Sequence, residues 1–295
     1  MFLPLLAVQI LFGINYNVSK VVVSAFPPLL WASMRSIIAA CCMVILALAL
    51  RRPHPKDGKR FFLPLIVFAL LGNVINQGAF LFGLRFTTPT NGALLNSLIP
   101  VFTLLIVTWR RHEPLTLRKL CGFLSAFIGA LMLLHIENFT LSDKTLIGDL
   151  LMLVNALSYG FFLAYTKKFF DEHDWFWTTA WLFVYGSIGL SLLALPNWLE
   201  MNIPPMTPLL WGCATYVIIG ATLLTYLLNN WTLSRTHSSN VALFIYVQPV
   251  VASILAWFWF GQAIAARTFY AAVLIFLSVF FVLTQKQEAP APEPA

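Results

Sequence analysis

Charged side chains are scarce in this sequence. Asp, Glu, Lys and Arg make up 10% of its 295 residues, whereas hydrophobic residues make up 60%. A soluble domain of this length carries about 25% charged residues, because its large surface must be acceptable to water. The scarcity of charge therefore excludes soluble α/β enzymes, DNA-binding domains and secreted disulfide modules.

Motifs for catalysis and for cofactor binding are also missing. The sequence has no G-x-x-x-x-G-K-[ST] loop, no H-E-x-x-H and no G-x-S-x-G, so ATP bound to this chain cannot drive its activity. Cys41, Cys42, Cys121 and Cys213 lie in apolar runs without C-x-x-C spacing. An intramembrane enzyme normally needs ionisable groups in its spans, and mid-span acids are absent. We expect no catalytic residue, no disulfide, no metal and no cofactor.

Long apolar runs fill most of the chain. Runs of 18 or more residues recur from Phe2 to Thr284, and each is long enough to cross a hydrocarbon layer of roughly 30 Å. They lack the alternation of a membrane β-barrel, so we predict an all-α polytopic membrane protein. Breaks at Pro, Gly and charged residues predict ten transmembrane helices near 2–24, 28–50, 61–84, 88–109, 116–136, 146–167, 174–196, 208–231, 238–260 and 264–284.

Basic residues lie mostly on one side of this predicted arrangement. If the N-terminus is cytoplasmic, thirteen Lys and Arg residues fall in cytoplasmic loops, and only Arg85, Lys144 and Arg267 fall outside. The bias predicts a multi-pass protein of the cell (inner) membrane with both termini in the cytoplasm. It also accounts for most of the net charge of +7, so we expect no nucleic-acid partner. The Pro- and Ala-rich tail, residues 288–295, is expected to be disordered.

The second half of the sequence repeats the first. Asn91-Gly-Ala-Leu leads to Pro100-Val101, and 149 positions later Asn240-Val-Ala-Leu leads to Pro249-Val250. Five helices per copy is an odd number, so the second copy must enter the membrane from the opposite side. We therefore predict two inverted five-helix repeats, residues 1–140 and 141–287. Inverted repeats are typical of secondary transporters, because two similar packings can open the protein to either side.

These patterns resemble the EamA-type family of the drug/metabolite transporter superfamily. The resemblance rests on the aromatic-Gly-x6-Lys pattern in the first helix of each repeat, and on the unit from Asn91 through Pro100-Val101 to Glu113-Pro-Leu-Thr. It covers about residues 1–285 and implies ten helices, cytoplasmic termini, a central cavity, and export or exchange of small metabolites such as amino acids. This sequence departs from the family at Phe12, where Trp is common, and at Gln262, where the first repeat has Glu113.

Polar side chains lie in stripes on the predicted helices. Polar groups inside a membrane usually face a partner helix or a water-filled cavity. Stripes 149 positions apart would face one another across the cavity, although hydrogen bonds between neighbouring helices are the alternative. The predicted substrate-binding residues are Tyr16, Asn17, Asn73, Asn76, Gln77, Asn96, Tyr159, Thr222, Thr225, Tyr226, Asn229 and Tyr246.

Two basic residues and two prolines within the predicted spans are further candidates for functional roles. Lys20 and Arg35 could contact a substrate carboxylate, but each lies one or two turns from a helix end, which favours snorkelling to the headgroups. Pro100 and Pro249 could be hinges or static bends, because each frees a carbonyl group one turn earlier.

The sequence therefore predicts a secondary transporter, an exporter or exchanger, working by alternating access on a small zwitterionic or amide-bearing metabolite. It would be driven by the substrate gradient, or by protons bound at a helix end. The alternatives are a selective channel or facilitator, and an exporter of a lipid-like or drug substrate. The expected partners are a small-molecule substrate and the lipid bilayer. A monomer would be sufficient, and the oligomeric state stays open.

Overall fold

A computed structural model describes residues 2–55, 58–87, 89–133, 146–200, 204–248, 250, 251, 254 and 266–283. Every regular element in these ranges is a helix. We number them α1 Phe2–Ala25, α2 Pro28–Ala49, α3 Lys59–Phe86, α4 Pro89–Asn96, α5 Ile99–Trp109, α6 Leu117–Leu133, α7 Leu146–Glu172, α8 Trp175–Leu193, α9 Leu195–Glu200, α10 Pro208–Leu233, α11 Ser238–Leu243 and α12 Ala266–Leu283.

Seven stretches of the described chain are long and apolar enough to cross a membrane. They correspond to the first four predicted spans and to the sixth, seventh and eighth. The fifth, ninth and tenth spans run into residues outside the described ranges, and their described parts are helical: α6, α11 and α12. The all-helical membrane class is confirmed, and the count of ten spans stays a prediction. Pro249, Gln262 and the tail 288–295 lie outside the described residues.

Two of the long helices contain a π-helical segment. The first is Leu70–Ile75 within α3, and the second is Tyr216–Leu224 within α10. The last residues of these segments, Ile75 and Leu224, are 149 positions apart, which is the spacing of the sequence repeat. A π-helical segment shifts the residues beyond it around the helix axis and often occurs at functional sites. Both segments end directly before polar residues that the sequence analysis selected.

The predicted fourth span is interrupted in its middle. It is formed by α4 and α5, which are separated by a turn at Ser97 and Leu98. Pro100 lies in the first turn of α5, where the missing N–H removes no helical hydrogen bond. At the corresponding place in the second half, α11 continues into the 3₁₀ segment Phe244–Tyr246. Irregular backbone at membrane depth is tolerated where protein buries it or where it lines a cavity.

Glycines allow α3 and α7 to meet through their backbones. A Cβ atom on Gly148 would lie 2.7 Å from the Thr87 nitrogen and 2.9 Å from the Gly83 carbonyl oxygen. Beside this contact, the Thr87 hydroxyl donates to Asp149 Oδ1 at 2.5 Å. The end of α3 is thus fixed against the start of α7, which places the polar residues of both helices around a common centre.

Candidate functional site

A cavity of about 70 Å³ lies between the helices. It is large enough for several water molecules, because a single water molecule needs a cavity volume of about 10–15 Å³. Twelve of its nineteen lining residues have polar side chains. The lining side chains are Gln9, Phe12, Asn15, Tyr16, Arg35, Asn76, Gln77, Phe80, Asn96, Ile99, Asn155, Tyr159, Leu163, Ala221, Tyr226, Asn229, Val241, Ile245 and Gln248.

A chain of hydrogen bonds begins at Arg35 on α2. The Arg35 guanidinium donates to Gln77 Oε1. Gln77 Nε2 donates to the Tyr226 hydroxyl and, at 2.6 Å, to Asn76 Oδ1. Asn76 Nδ2 in turn donates to Asn155 Oδ1 at 2.6 Å. The two residues that follow the π-helical segment of α3 therefore join α2, α7 and α10.

The same chain continues to the helices on the other side of the cavity. Asn155 Nδ2 donates to Asn96 Oδ1 at 2.7 Å, and Asn96 Nδ2 donates to the Tyr16 hydroxyl at 2.7 Å. The Tyr16 hydroxyl donates to Gln248 Oε1 at 3.2 Å, and Gln248 Nε2 donates to Gln9 Oε1 at 2.6 Å. Every bond points away from Arg35, so the amide and phenol dipoles are aligned and polarise one another.

Residues 149 positions apart meet in this cavity. Gln77 and Tyr226 have this spacing, and their side chains are directly hydrogen-bonded. Three further pairs at the same spacing line the cavity, each with one polar and one apolar member: Phe80 and Asn229, Asn96 and Ile245, and Ile99 and Gln248. The two halves of the chain thus contribute corresponding positions with different chemistry, which makes the cavity wall asymmetric.

Arg35 gives the cavity a positive charge. The side chain is 2% exposed, and its Nε has no hydrogen-bond partner in the described part of the chain. No Asp or Glu of the described residues lines the cavity. The ion pairs that the structure shows, Arg52–Asp174, Lys119–Glu113 and Lys167–Asp171, do not include Arg35. A buried charge without a counter-ion is costly, so this guanidinium can bind an anion.

Eight of the residues selected from the sequence line the cavity: Tyr16, Arg35, Asn76, Gln77, Asn96, Tyr159, Tyr226 and Asn229. Tyr159 and Asn229 are joined by a bond of 3.1 Å from Asn229 Nδ2 to the Tyr159 hydroxyl. The structure thus brings together polar groups from both halves of the chain. Whether they bind a substrate remains a prediction.

Three selected residues in or beside the π-helical segments do not line the cavity. Asn73 accepts a bond of 3.4 Å from Ser36 and packs against Gly186. Thr222 donates to the Val217 carbonyl and Thr225 donates to the Ala221 carbonyl, both within α10 and both at 2.7 Å. Their placement in the cavity wall was predicted from an uninterrupted α-helical period. The π-helical segments break that period at Asn73 and Thr222, whereas Thr225 begins the α-helical stretch Thr225–Leu233 and bonds back to the Ala221 carbonyl.

Asn17 and Tyr246 also lie elsewhere. Asn17 is exposed on the outside of α1, about 100° around the helix from Tyr16. Tyr246 is fully buried, with its ring centroid 6.3 Å from that of Phe127 on α6. Helical spacing alone did not distinguish the cavity face of α1 from its neighbour, and the 3₁₀ segment changes the direction of Tyr246.

The two basic residues differ in their surroundings. Lys20 lies away from the cavity, and its amino group donates to the carbonyl oxygens of Leu84 at 2.5 Å and Thr87 at 2.9 Å. It caps the C-terminal end of α3, where the helix dipole favours a cation. In the structure Lys20 thus bonds backbone carbonyl oxygens, and its contact with a substrate carboxylate stays a prediction. The snorkelling alternative is wrong for Arg35, whose side chain is buried at the cavity.

Asn15 and Gln248 line the cavity but were not selected from the sequence. Asn15 lies one position before Tyr16, off the stripe through Gln9 and Gly13. Gln248 directly precedes Pro249, and it could have been found as a polar residue beside a predicted helix break. Gln9 and Asn155 share helix faces with selected tyrosines, and that periodicity was sufficient to indicate them.

Comparison with known proteins supplies independent information. A sequence model described as the EamA-like transporter family matches residues 2–135 and 146–284. The chain is 26% identical to the uncharacterized transporter YyaM of Bacillus subtilis (strain 168), over 94% of this chain and 92% of that protein. It is 25% identical to the WAT1-related protein At2g40900 of Arabidopsis thaliana, over 80% of this chain and 66% of that protein. A solved crystal structure covers 95% of this chain and 94% of its own, with a TM-score of 0.74 and 17% identity, which shows a shared fold.

Proposed function

Because the chain belongs to the EamA-like transporter family, a family of multi-pass membrane transporters and not of enzymes, we propose that it is a secondary transporter of a small polar metabolite. The substrate occupies the central cavity, and export or exchange proceeds by alternating access. The observation that carries this proposal is the directed hydrogen-bond chain from Arg35 to Gln9, which joins helices of both halves around one cavity.

The proposed alternating access relies on two inverted repeats in the inner membrane, with both termini in the cytoplasm. Three observations support the repeats: the matched ranges 2–135 and 146–284, the two π-helical segments, and the Gln77–Tyr226 contact. Residues that correspond under a two-fold axis can touch only close to that axis. The cavity would then lie where the two halves move relative to one another.

Contacts at both ends of the bundle favour a carrier over a permanently open channel. At one end, Lys20 holds the last turn of α3 beside Asp149 of α7. At the other end, Glu113, which follows α5, accepts hydrogen bonds from Ser239 in α11. A carrier must be able to close each end in turn, whereas an open channel has no need of two closures.

Gln77 and Tyr226 provide the test of this cavity. We expect Gln77→Ala and Tyr226→Ala each to reduce uptake into proteoliposomes at least tenfold, because both remove polar groups from the cavity wall. Asn17→Ala is the matched control, since it removes an exposed amide of α1 that does not line the cavity. The substrate for uptake is first chosen from amino acids, carboxylates, sugars and nucleosides by thermal shift. A ligand at 100 times its Kd stabilises by about 2.7 kcal/mol.

Folding of each variant is checked by its melting temperature in detergent. A single membrane hydrogen bond contributes about 0.6 kcal/mol, so Gln77→Ala should remain folded. Tyr226→Ala also removes a buried ring that contacts Phe183, so Tyr226→Phe, which removes only the hydroxyl, replaces it if it does not fold. Unchanged uptake by both variants would contradict the assignment of the cavity. Substrate flux far above carrier rates, without counter-transport of labelled substrate, would instead favour the channel.

A further inference from the structure

The uncompensated charge of Arg35 restricts the substrate more narrowly than the proposed function does. Its Nε–H has no partner in the described part of the chain, and the neutral Gln77 oxygen accepts from its terminal nitrogen. A guanidinium has five N–H donors in a planar fork that matches a carboxylate. The buried site therefore holds unused donors and one positive charge.

The two ends of the cavity have different chemistry. Arg35 lies about two turns into α2, which begins next to the end of α1, and Lys20 links this end of α1 to the end of α3. At the opposite end, the Ser238 hydroxyl at the start of α11 donates to the Leu163 carbonyl oxygen at 2.6 Å. Leu163, Val241 and Ile245 give that part of the wall an apolar surface.

We propose that the substrate is a small organic monoanion, whose carboxylate binds Arg35 beside Gln77 and whose apolar part lies toward Leu163, Val241 and Ile245. This inference rests on the proposed transport function and specifies its substrate. A zwitterion would bring an ammonium group into a wall where the described residues offer no carboxylate. A dianion would leave one negative charge uncompensated. A single negative charge neutralises the site and satisfies the donors of Arg35.

Three molecules with one carbon skeleton test the required charge: pentanoate, pentanamide and 2-aminopentanoate. We expect pentanoate to raise the melting temperature of the purified full-length protein at a concentration at least ten times lower than either of the others. Tenfold in affinity corresponds to about 1.4 kcal/mol. Equal effects of acid and amide, or a stronger effect of the zwitterion, would overturn the proposal.

Substitutions test the role of Arg35. Arg35→Gln should reduce pentanoate affinity at least tenfold and leave pentanamide affinity unchanged. Arg35→Lys keeps the charge and should retain more pentanoate affinity than Arg35→Gln does. If Arg35→Gln does not fold, a partial loss of pentanoate affinity in Arg35→Lys serves as the test. Lys168→Met removes an exposed cation that does not line the cavity and should bind pentanoate like the unmodified protein. Undiminished pentanoate binding by Arg35→Gln would overturn the assignment.

Uptake into proteoliposomes separates this inference from the proposed function. Saturable uptake of pentanamide or 2-aminopentanoate in preference to pentanoate would overturn the anion proposal and leave the transporter proposal standing. Pentanoate binding that depends on Arg35, without uptake or exchange of labelled pentanoate, would support the anion site and count against transport through it.

Discussion

The carboxylate of Glu113 accepts three hydrogen bonds. It is buried in the connection between α5 and α6, where Lys119 Nζ donates to it at 2.8 Å. The backbone N–H of Ser239 donates to it at 3.2 Å, and the Ser239 hydroxyl donates as well. A residue of the first half thus caps the start of α11 in the second half, where the helix dipole favours an anion.

The pKa of Glu113 reflects these contacts. Burial raises the pKa, but the charge of Lys119, the hydrogen bonds from Lys119 and Ser239, and the charge of His237 together hold the pKa below its ordinary value of 4.5. A carboxyl group whose pKa is lowered by folding stabilises the protein at a pH above that ordinary value. This contribution is lost as the pH falls through the pKa of the folded state.

Glu113→Gln should therefore lower the stability of the protein at pH 7 by about 1.5–3 kcal/mol, the range for hydrogen bonds to charged groups. The difference from the unmodified protein should shrink as the pH falls below 4.5 and through the lower pKa of the folded state, where the carboxylate takes up a proton. Thermal melting in detergent at several pH values measures both effects. Glu172→Gln, at an exposed acid, is the control and should change little. A stability difference that does not vary with pH would show that charge is not the cause.

Single residues also show how much of the site could be predicted from the sequence. Polar residues inside apolar runs are rare enough that Gln77, Asn96 and Tyr226 could be selected by their chemistry alone. Asn15 and Asn17 have the same side chain two positions apart, and only the packing of α1 decides which of them is buried. Chemical identity was therefore predictable, whereas side-chain direction depended on packing even in the regular helix α1.

At the scale of elements, the contact between α3 and α7 depends on glycine. A Cβ atom on Gly148 would be 2.9 Å or less from three backbone atoms, two in α3 and one in Thr87 directly after it, and backbone atoms cannot move aside as a flexible side chain can. By contrast, a Cβ atom on Gly212 in α10 would have no heavy atom within 4 Å. The two glycines provide a matched comparison of helix packing.

Gly148→Ala should destabilise the protein by about 1–3 kcal/mol, the usual effect of overpacking. Gly212→Ala should leave it unchanged or stabilise it by up to about 1 kcal/mol, because alanine is the better helix former. Melting temperatures in one detergent measure both variants. Equal melting temperatures of the two variants would mean that α3 and α7 are not in direct backbone contact.

The long helices were predictable because each needs about 20 apolar residues. The predicted spans 28–50 and 174–196 correspond closely to α2, Pro28–Ala49, and α8, Trp175–Leu193. The π-helical segments were not predictable, because Leu70–Ile75 contains no proline that would mark an interruption of the α-helix. Their placement depends on contacts between helices, such as that of Gly72 with Phe162.

For the whole molecule, we propose that two contacts between the halves, Thr87 with Asp149 and Glu113 with Ser239, are closures at opposite ends of one cavity. Phe80 lies nearer the Thr87 end, two turns before the end of α3, and Val241 lies nearer the Glu113 end, one turn into α11. If the two halves move as rigid bodies, opening one closure must tighten the other, since the cavity lies between them. In a channel, both positions would be accessible together.

Cysteines at Phe80 and Val241, introduced one at a time after replacing the four native cysteines by alanine, distinguish these cases. An impermeant thiol reagent is applied to each side of the membrane. Combining either cysteine with Glu113→Gln should raise labelling at Val241 and lower it at Phe80, because the closure at Glu113 is weakened. A cysteine at exposed Glu200 is the control, and its labelling should stay constant. Parallel increases at both cavity positions would contradict alternating access, because one substitution would then open a continuous path.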